Sequence, residues 1–341
     1  MTTEFIHTDE INDEVLARAG AIIRRGGLVV FPTETVYGLG ANALDAEAAK
    51  KVYAAKGRPS DNPLITHITT PEDADKYAVT NETYRRLARA FMPGPLTVIL
   101  PKRDCIPLAT TGGLDSVGIR CPENKIARRL IAAAGVPIAA PSANLSGKPS
   151  PTRAEHVRYD LDGKVDMILD GGDCTVGVES TIVKVDGDRL TLLRPGGITL
   201  DMLRALFDDV SVAEAVTGKL PEGVRPLSPG MKYRHYAPKA PVTVVTGDPA
   251  ASAAFIRAHL PAGAGVICFT EYKDLFPGRS IHDLGSAHDK AEQARRVFDA
   301  LREFDHETVT EIYAQCPDTA GLGLAVSNRL KKAAGFHVIE V

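Results

Sequence analysis

Between Glu10 and Arg25 the apolar residues fall at Ile11, Val15, Leu16, Ala19, Ile22 and Ile23. That spacing lays one face of an α-helix against a core, and Gly26-Gly27 is a stop signal. Leu28-Val29-Val30-Phe31 follows as an apolar run of strand length. Asp45 to Ala55 reads as a second helix and Leu64-Ile65-Thr66-His67-Ile68 as the next strand. Further strands are expected from Leu96 to Leu100, Val117 to Arg120, Ile138 to Ala140 and Met167 to Leu169. A hairpin should pair Thr181 to Val185 with Leu190 to Leu193 across Asp186-Gly187-Asp188. Residues 1–205 therefore read as a mixed α/β domain rich in strands.

The pattern then breaks. Pro221, Pro226, Pro229 and Pro238, with Gly223 and Gly230, exclude a continuous helix or central strand, so 206–240 reads as a linker. Beyond it, strand-like Val242 to Val245, Gly265 to Phe269, Val309 to Ala314 and His337 to Val341 alternate with helix-like stretches. Those helices are expected at Pro249 to His259, His288 to Phe304 and Leu322 to Ala334. Such alternation predicts a small Rossmann-like parallel-sheet domain over 241–341. No Gly-x-Gly-x-x-Gly follows its first strand, so dinucleotide binding there is not supported.

With 341 residues, 44% of them hydrophobic, the chain is long enough for two cores. A net charge of -3 gives no whole-molecule field for nucleic acid or membrane, so any polyanion contact has to be local. The five cysteines, Cys105, Cys121, Cys174, Cys268 and Cys316, lack Cys-x-x-Cys spacing and read as reduced thiols rather than zinc ligands or a disulfide framework. The amino terminus lacks a basic segment leading into an apolar one, and no apolar run approaches the roughly 18 residues of a membrane span. A cytoplasmic protein without membrane contact is expected.

Two polar segments stand at strand ends, where sites collect. Lys56-Gly57-Arg58-Pro59-Ser60-Asp61-Asn62-Pro63 lies between a helix and the strand at Leu64, and Pro141-Ser142-Ala143-Asn144-Leu145-Ser146-Gly147 follows the strand ending at Ala140. Lys56 offers a compact charge, Arg58 a planar fork for phosphate oxygens, and Gly57 room for close backbone approach. Together they suit a phosphate chain. Taken singly, a basic pair in a loop is also ordinary solvated surface, and Ser142 and Asn144 are ordinary turn residues. Neither a Gly-x4-Gly-Lys-Ser/Thr loop nor a kinase Gly-rich loop occurs, so a nucleotide site here has to be built differently.

Lys56-Gly57-Arg58 with Ser142-Ala143-Asn144 resembles the Lys-x-Arg and Ser-x-Asn tetrad of the YrdC/Sua5 family. The phrases Phe31 to Gly40, Met92 to Thr97, Gly177 to Val183 and Arg194-Pro195-Gly196 are similar to that family in the same order. The linker phrase Ser228 to Pro238 and the extra C-terminal domain resemble its two-domain type. Departures are few: Thr66, Asn42 and Lys184 stand where Val, Asp and Asp are usual, and none touches the tetrad. The resemblance implies a YrdC-like twisted mixed-sheet α/β domain joined by the Pro-rich linker to a small Rossmann-like domain.

It also implies a nucleotidyltransferase that condenses L-threonine, bicarbonate or CO2, and ATP into threonylcarbamoyl-adenylate and pyrophosphate. Another enzyme system, a tRNA threonylcarbamoyltransferase, would then build t6A at position 37 of ANN-decoding tRNAs, with at most a weak tRNA contact here. By resemblance the catalytic residues are Lys56, Arg58, Ser142 and Asn144. Asn62, Ala140, Ser150, Arg194 and Tyr236 would join Lys56, Arg58 and Asn144 in holding ATP. Thr35, His67, Arg120, Ser142 and Ser180 would hold threonine, with Arg120 as the fork for its carboxylate. Mg2+ would come with ATP and neutralise the departing pyrophosphate, with no metal site of the protein's own.

The linker carries Lys232, Tyr233, Arg234, His235 and Tyr236, and is expected to cover the site as a lid with Tyr236 against the nucleotide. A reading of a different class is a non-catalytic double-stranded RNA or tRNA-binding module, with Lys56, Arg58, Arg120, Arg128, Arg129 and Arg194 lining a concave basic surface. A carbamoyl-adenylate site like that of hydrogenase maturation proteins fits less well, because the accessory zinc-finger and acylphosphatase modules of that context are not seen.

Overall fold

The computed structural model describes residues 2–218, 228 and 235–341. Two sheets organise it. The larger has 11 strands, in spatial order Glu4–Ile6, Met167–Leu169, Val29–Phe31, Gly38–Asn42, Ile138–Ala139, Ile65–His67, Ser116–Arg120, Leu96–Pro101, Thr181–Asp186, Arg189–Arg194 and Val210–Val212. It is mixed: Val29–Phe31 pairs antiparallel with Gly38–Asn42, whereas Ile65–His67 runs parallel to Ser116–Arg120. The last strand, Val210–Val212, pairs parallel with Arg189–Arg194, so the first sheet runs past residue 205, where the sequence pattern suggested its end.

The expected hairpin is present, with Gly187 at φ +60° in its turn. The strand Gly38–Asn42 was hidden by its glycines, which normally weaken strands. Here they are required, because a Cβ on Gly40 would sit 2.8 Å from both Ile138 Cγ2 and Phe31 Cε1. The helices Glu82–Phe91 and Lys125–Ala134, also unforeseen, are each opened by an asparagine cap. Asn81 accepts from Tyr84 N at 2.9 Å, and Asn124 accepts from Ile126 N and Ala127 N.

The second sheet has five parallel strands in the order Ile281–Asp283, Gly265–Cys268, Ile312–Gln315, Val242–Thr246 and Val338–Glu340. Helices Pro249–His259, Lys290–Glu303 and Gly323–Ala333 cross between its strands, as the alternation predicts. The two domains share a core: Val36 and Val178 from the first pack in one apolar cluster with Tyr236, Phe298, Val326 and Leu330. Buried polar contacts cross the same boundary, with Arg302 donating to Asp160 at 2.8 Å and Asn328 to Val216 O at 2.7 Å. Among the described residues no helix is long and apolar enough to cross a membrane.

Helix Asp13–Arg24 packs on helix Lys125–Ala134 through Gly20, where a Cβ would lie 2.7 Å from the backbone of Ala133 and Ala134. Gly20→Ala is expected to cost about 1–3 kcal/mol, because backbone cannot yield as a flexible side chain would. Urea unfolding checks this, and an unchanged midpoint and slope would contradict so close an approach.

Candidate active site

Helix Ala46–Lys56 starts at Asp45, whose side chain accepts from Glu47 N at 2.9 Å, and ends at Gly57 in the left-handed region, φ +61°. That turn leaves Lys56 and Arg58 buried at the end of the helix, 2% and 8% exposed. The Lys56 ammonium donates to the backbone carbonyls of both Ser142 and Asn144, while Ser146 N donates to Lys56 O at 2.8 Å. The two loops singled out in the sequence are thus stitched together. Arg58 donates to Asn62 O and, at 3.0 Å, to Pro63 O, which curls its own loop around the guanidinium. The Ser142 hydroxyl donates to Asn144 Oδ1, and Asn144 Nδ2 donates to Leu145 O and Lys148 O at 2.8 and 2.9 Å.

Arg194 lies at the end of its strand, followed by Pro195-Gly196. A Cβ on Gly196 would meet Glu179 O at 2.3 Å, so only glycine admits the close backbone approach that aims this arginine inward. Its Nε donates to Ser180 O at 3.0 Å and its Nη2 to Ser180 Oγ at 3.1 Å, while Ser180 Oγ and Thr97 Oγ1 are 2.8 Å apart. Arg120 ends another strand and donates to Glu34 Oε1 at 2.6 Å and Thr35 Oγ1 at 2.9 Å. His67 sits beside it in register, its Nδ1 3.1 Å from Ile65 O. Ser150 donates to Glu179 Oε1, and Arg329 of the second domain donates to Glu179 Oε2 at 2.7 Å.

One cleft joins these groups. It is lined by Arg58, His67, Arg120, Ala140, Ser142 and Arg194, together with Glu179 and His235. Lys56, Asn144, Thr35, Ser180 and Ser150 stand directly behind that lining through the hydrogen bonds just given. Asn62 Oδ1 is buried without a hydrogen bond among the described residues. Every residue expected at the site is therefore gathered in one place.

From the linker, His235 lines the cleft and Tyr236 lies beneath it, 1% exposed with φ +66°. Such a backbone is rare outside glycine and costs on the order of 1–2 kcal/mol. It is held by the Tyr236 ring packing 5.1 Å from that of Phe298 and by Ala237 N donating to Gly147 O at 2.9 Å. Tyr236 is thus also part of the shared apolar core. The remaining linker residues named from sequence, Lys232, Tyr233 and Arg234, lie outside the described residues.

The electrostatics are lopsided. Burial lowers Lys56 well below the ordinary lysine value and brings Arg58 and Arg194 each down to about 10. Burial and neighbouring Arg329 bring Lys332 to about 7. Against these cations the cleft sets Glu179 and Glu34, both taken by arginines, while Asp160 acts on Lys56 and Asp61 on Arg58 from further out. Burial works against the charge of Glu179, but Arg329 and Arg194 outweigh it and hold that carboxyl at about 2, while Glu34 pairs with Arg120. A buried cluster of one sign is costly unless an anion completes it. Glu179 and Glu34 are each engaged by an arginine rather than open to a metal ion. Elsewhere His156, Asp299 and Glu303 approach one another, but His156 Nδ1 accepts from Thr152 N, which leaves Nε2 as the protonated nitrogen facing Asp299. That tautomer does not suit a metal ligand.

Burial also corrects the nucleic-acid reading. Lys56, Arg58, Arg120 and Arg194 are at most 8% exposed and cannot line a concave surface that meets a duplex backbone, which leaves Arg128 and Arg129 as its accessible members. Sequence reasoning gave no role to Glu34, Glu179 or Arg329. The signal for Glu179 was a carboxylate set beside Ser180 at the edge of an apolar strand; Arg329, in an ordinary helix of the other domain, had none.

Fold and cleft define a two-domain α/β protein whose site is lined by buried cations. The chain belongs to the Sua5/YciO/YrdC family: residues 21–196 match its model, described as telomere recombination, and residues 198–335 match the threonylcarbamoyl-AMP synthase C-terminal domain. It is 46% identical to the threonylcarbamoyl-AMP synthase of Bacillus subtilis (98% of this chain, 97% of the relative) and 43% identical to that of Pyrococcus abyssi (98% of each). The structure of Pyrococcus abyssi Sua5 complexed with L-threonine superposes with a TM-score of 0.93 at 43% identity, over 100% of both chains. With full-length relatives named as synthases, the chain is an enzyme of the transferase-type synthases.

Burial, then the nearby Arg120, lowers the His67 pKa from 6.5 to about 3. Between those values the unfolded chain binds a proton that the folded one does not, so stability falls as pH drops through this window. At pH 5 the loss is about 2 kcal/mol. His67→Gln should shrink the difference between urea-unfolding free energies at pH 7 and pH 5 by that amount; an equal drop in both proteins would contradict the buried neutral imidazole.

Proposed function

We propose that this protein is a threonylcarbamoyl-AMP synthase, acting as a nucleotidyltransferase on L-threonine, bicarbonate or CO2, and the magnesium complex of ATP. The observation that carries the reading is the buried set of Lys56, Arg58 and Arg194 on interlocked loops, in a chain similar over its whole length to synthases of that name. Threonine carbamate is already an anion, so its carboxylate oxygen attacks the α-phosphorus without a strong base. A new P–O bond forms, the bond from the α-phosphorus to the α–β bridging oxygen breaks, and pyrophosphate leaves with the electron pair. Positioning and charge neutralisation then supply most of the rate. Lys56 and Arg58 meet the triphosphate; Asn62, Ala140, Asn144, Ser150, Arg194 and Tyr236 complete the nucleotide contacts.

In this reading Arg120 takes the threonine carboxylate, with Thr35, His67, Ser142 and Ser180 around the rest. Neutral His67 suits a hydrogen-bonding role rather than that of a charged acid. His235 lines the cleft and Tyr236 packs against Phe298 beside it, so in this reading both move aside for substrate and product, as a lid does. The adenylate is too labile to leave unprotected and goes, in the cytoplasm, to a tRNA threonylcarbamoyltransferase system that forms t6A.

The test is pyrophosphate release from ATP with bicarbonate, Mg2+ and each amino acid in turn, without tRNA. Release should require threonine and bicarbonate together, and Arg58→Ala should lower kcat/KM on the order of 10²-fold, the cost of removing one preorganised charge contact. Release that no amino acid stimulates would overturn the reading.

Tyr236→Ala should weaken ATP binding at least about ten-fold, whereas Tyr236→Phe keeps the ring against Phe298 and isolates the hydroxyl. Calorimetric titration with ATP measures both, and unchanged affinity in the alanine variant would remove Tyr236 from the lid.

A further inference from the structure

Among the described residues Arg329 is the largest side chain with no exposed surface, and it belongs to helix Gly323–Ala333 of the second domain. Its Nε meets Glu179 Oε2 at 2.7 Å and its Nη1 meets Asn328 Oδ1 at 3.0 Å, while Asn328 Nδ2 reaches back to Val216 O. The guanidinium centre lies 5.6 Å from the centroid of the Tyr236 ring. Glu179 in turn holds the hydroxyl of Ser150. A chain of direct contacts thus runs from the second domain's helix into the cleft, ending on two residues assigned to the nucleotide.

Glu179 is the carboxylate that lines the cleft beside the phosphate-binding cations, and it faces several groups. Arg329 and Lys332 approach from the second domain, Arg194 from the first sheet, Lys56 from the end of its helix, and His235 and Tyr236 from the linker. Were it not held by Arg329, Glu179 would fall to Arg194, which already acts on its charge and is meant for the substrate.

We infer that Arg329 is a positioning residue: by pairing directly with Glu179 it fixes the carboxylate that holds Ser150 and takes up much of its charge, so that Arg194 stays available to the nucleotide. This rests on the adenylation reading above. It gives the second domain a part in building the site rather than only bracing the linker. Neutralising one carboxylate from across a domain boundary makes the ATP site complete only when the domains are docked.

The experiment is steady-state kinetics on the full chain, backed by calorimetric ATP binding, which needs no turnover. Arg329→Met should raise KM for ATP at least ten-fold while KM for threonine moves less than three-fold. Adding Glu179→Gln, which still accepts from Ser150 but carries no charge, should restore most of the ATP affinity, a recovery that a purely structural arginine would not produce. Arg153→Ala, which removes an exposed pair with Asp299 on the same domain boundary, should leave both KM values unchanged. Arg329→Gln gives the same comparison should the methionine variant not fold. An unchanged ATP affinity in the Arg329 variants, or a loss that Glu179→Gln does not recover, overturns the inference. A wild-type protein that binds ATP but shows no threonine-dependent release overturns the proposed reaction instead, leaving the Arg329 comparison to be read on ATP binding alone.

Discussion

The site depends on one buried ammonium. Lys56 stands at the last turn of its helix, 2% exposed, and spends two of its three donors on the carbonyls of Ser142 and Asn144. No apolar side chain could serve there, because both carbonyls would be buried without partners at a cost of about 1–3 kcal/mol each. Burial opposes the charged form of this group, and the two carbonyls it meets favour it. The contact that joins the two loops therefore makes the cleft electropositive, and structural and chemical roles fall on the same atom.

Around Lys56 the fold gathers further cations and offers little to offset them. Arg58 and Arg194 are anchored through one edge each to backbone or serine oxygens, so their orientation is fixed before any ligand arrives. Preorganisation of this kind lowers the reorganisation needed when charge moves in a reaction. The strain it implies is spread over neighbouring elements: Gly196 gives up a side chain to let the Arg194 turn approach the Glu179–Ser180 backbone, and Tyr236 adopts a left-handed backbone to close the cleft. Strain at a site persists only where surroundings over-determine it. Here the shared apolar cluster of the two domains does so.

That shared cluster explains why the domains are not independent beads. Val36 and Val178 come from the segments that carry Thr35 and Glu179, yet they pack on the second domain. The polar contacts across the boundary are likewise buried, with Arg302 on Asp160 and Arg329 on Glu179 each at most 8% exposed. Breaking one partner of such a pair leaves an uncompensated buried charge, which penalises separation more than the pair itself favours docking.

Much of this was legible in residue order alone. Periodicity located helix Asp13–Arg24, the strand Val29–Phe31, the hairpin and the alternation of the second domain, because burial on one face imposes a period that each residue carries locally. The tetrad and its flanking phrases marked the two loops, since paired cations and short polar side chains at close spacing are visible in residue order. Gly38–Asn42 was not legible as a strand, because its glycines are explained only by Phe31 and Ile138 across the sheet. Nor could order along the chain bring Glu179 and Arg329 together, 150 residues apart. What the sequence determined was the local elements and the residue types of the two loops. Which cations share a cleft, which carboxylate faces them and which arginine restrains it were decided by tertiary packing, because burial and charge pairing depend on neighbours in space.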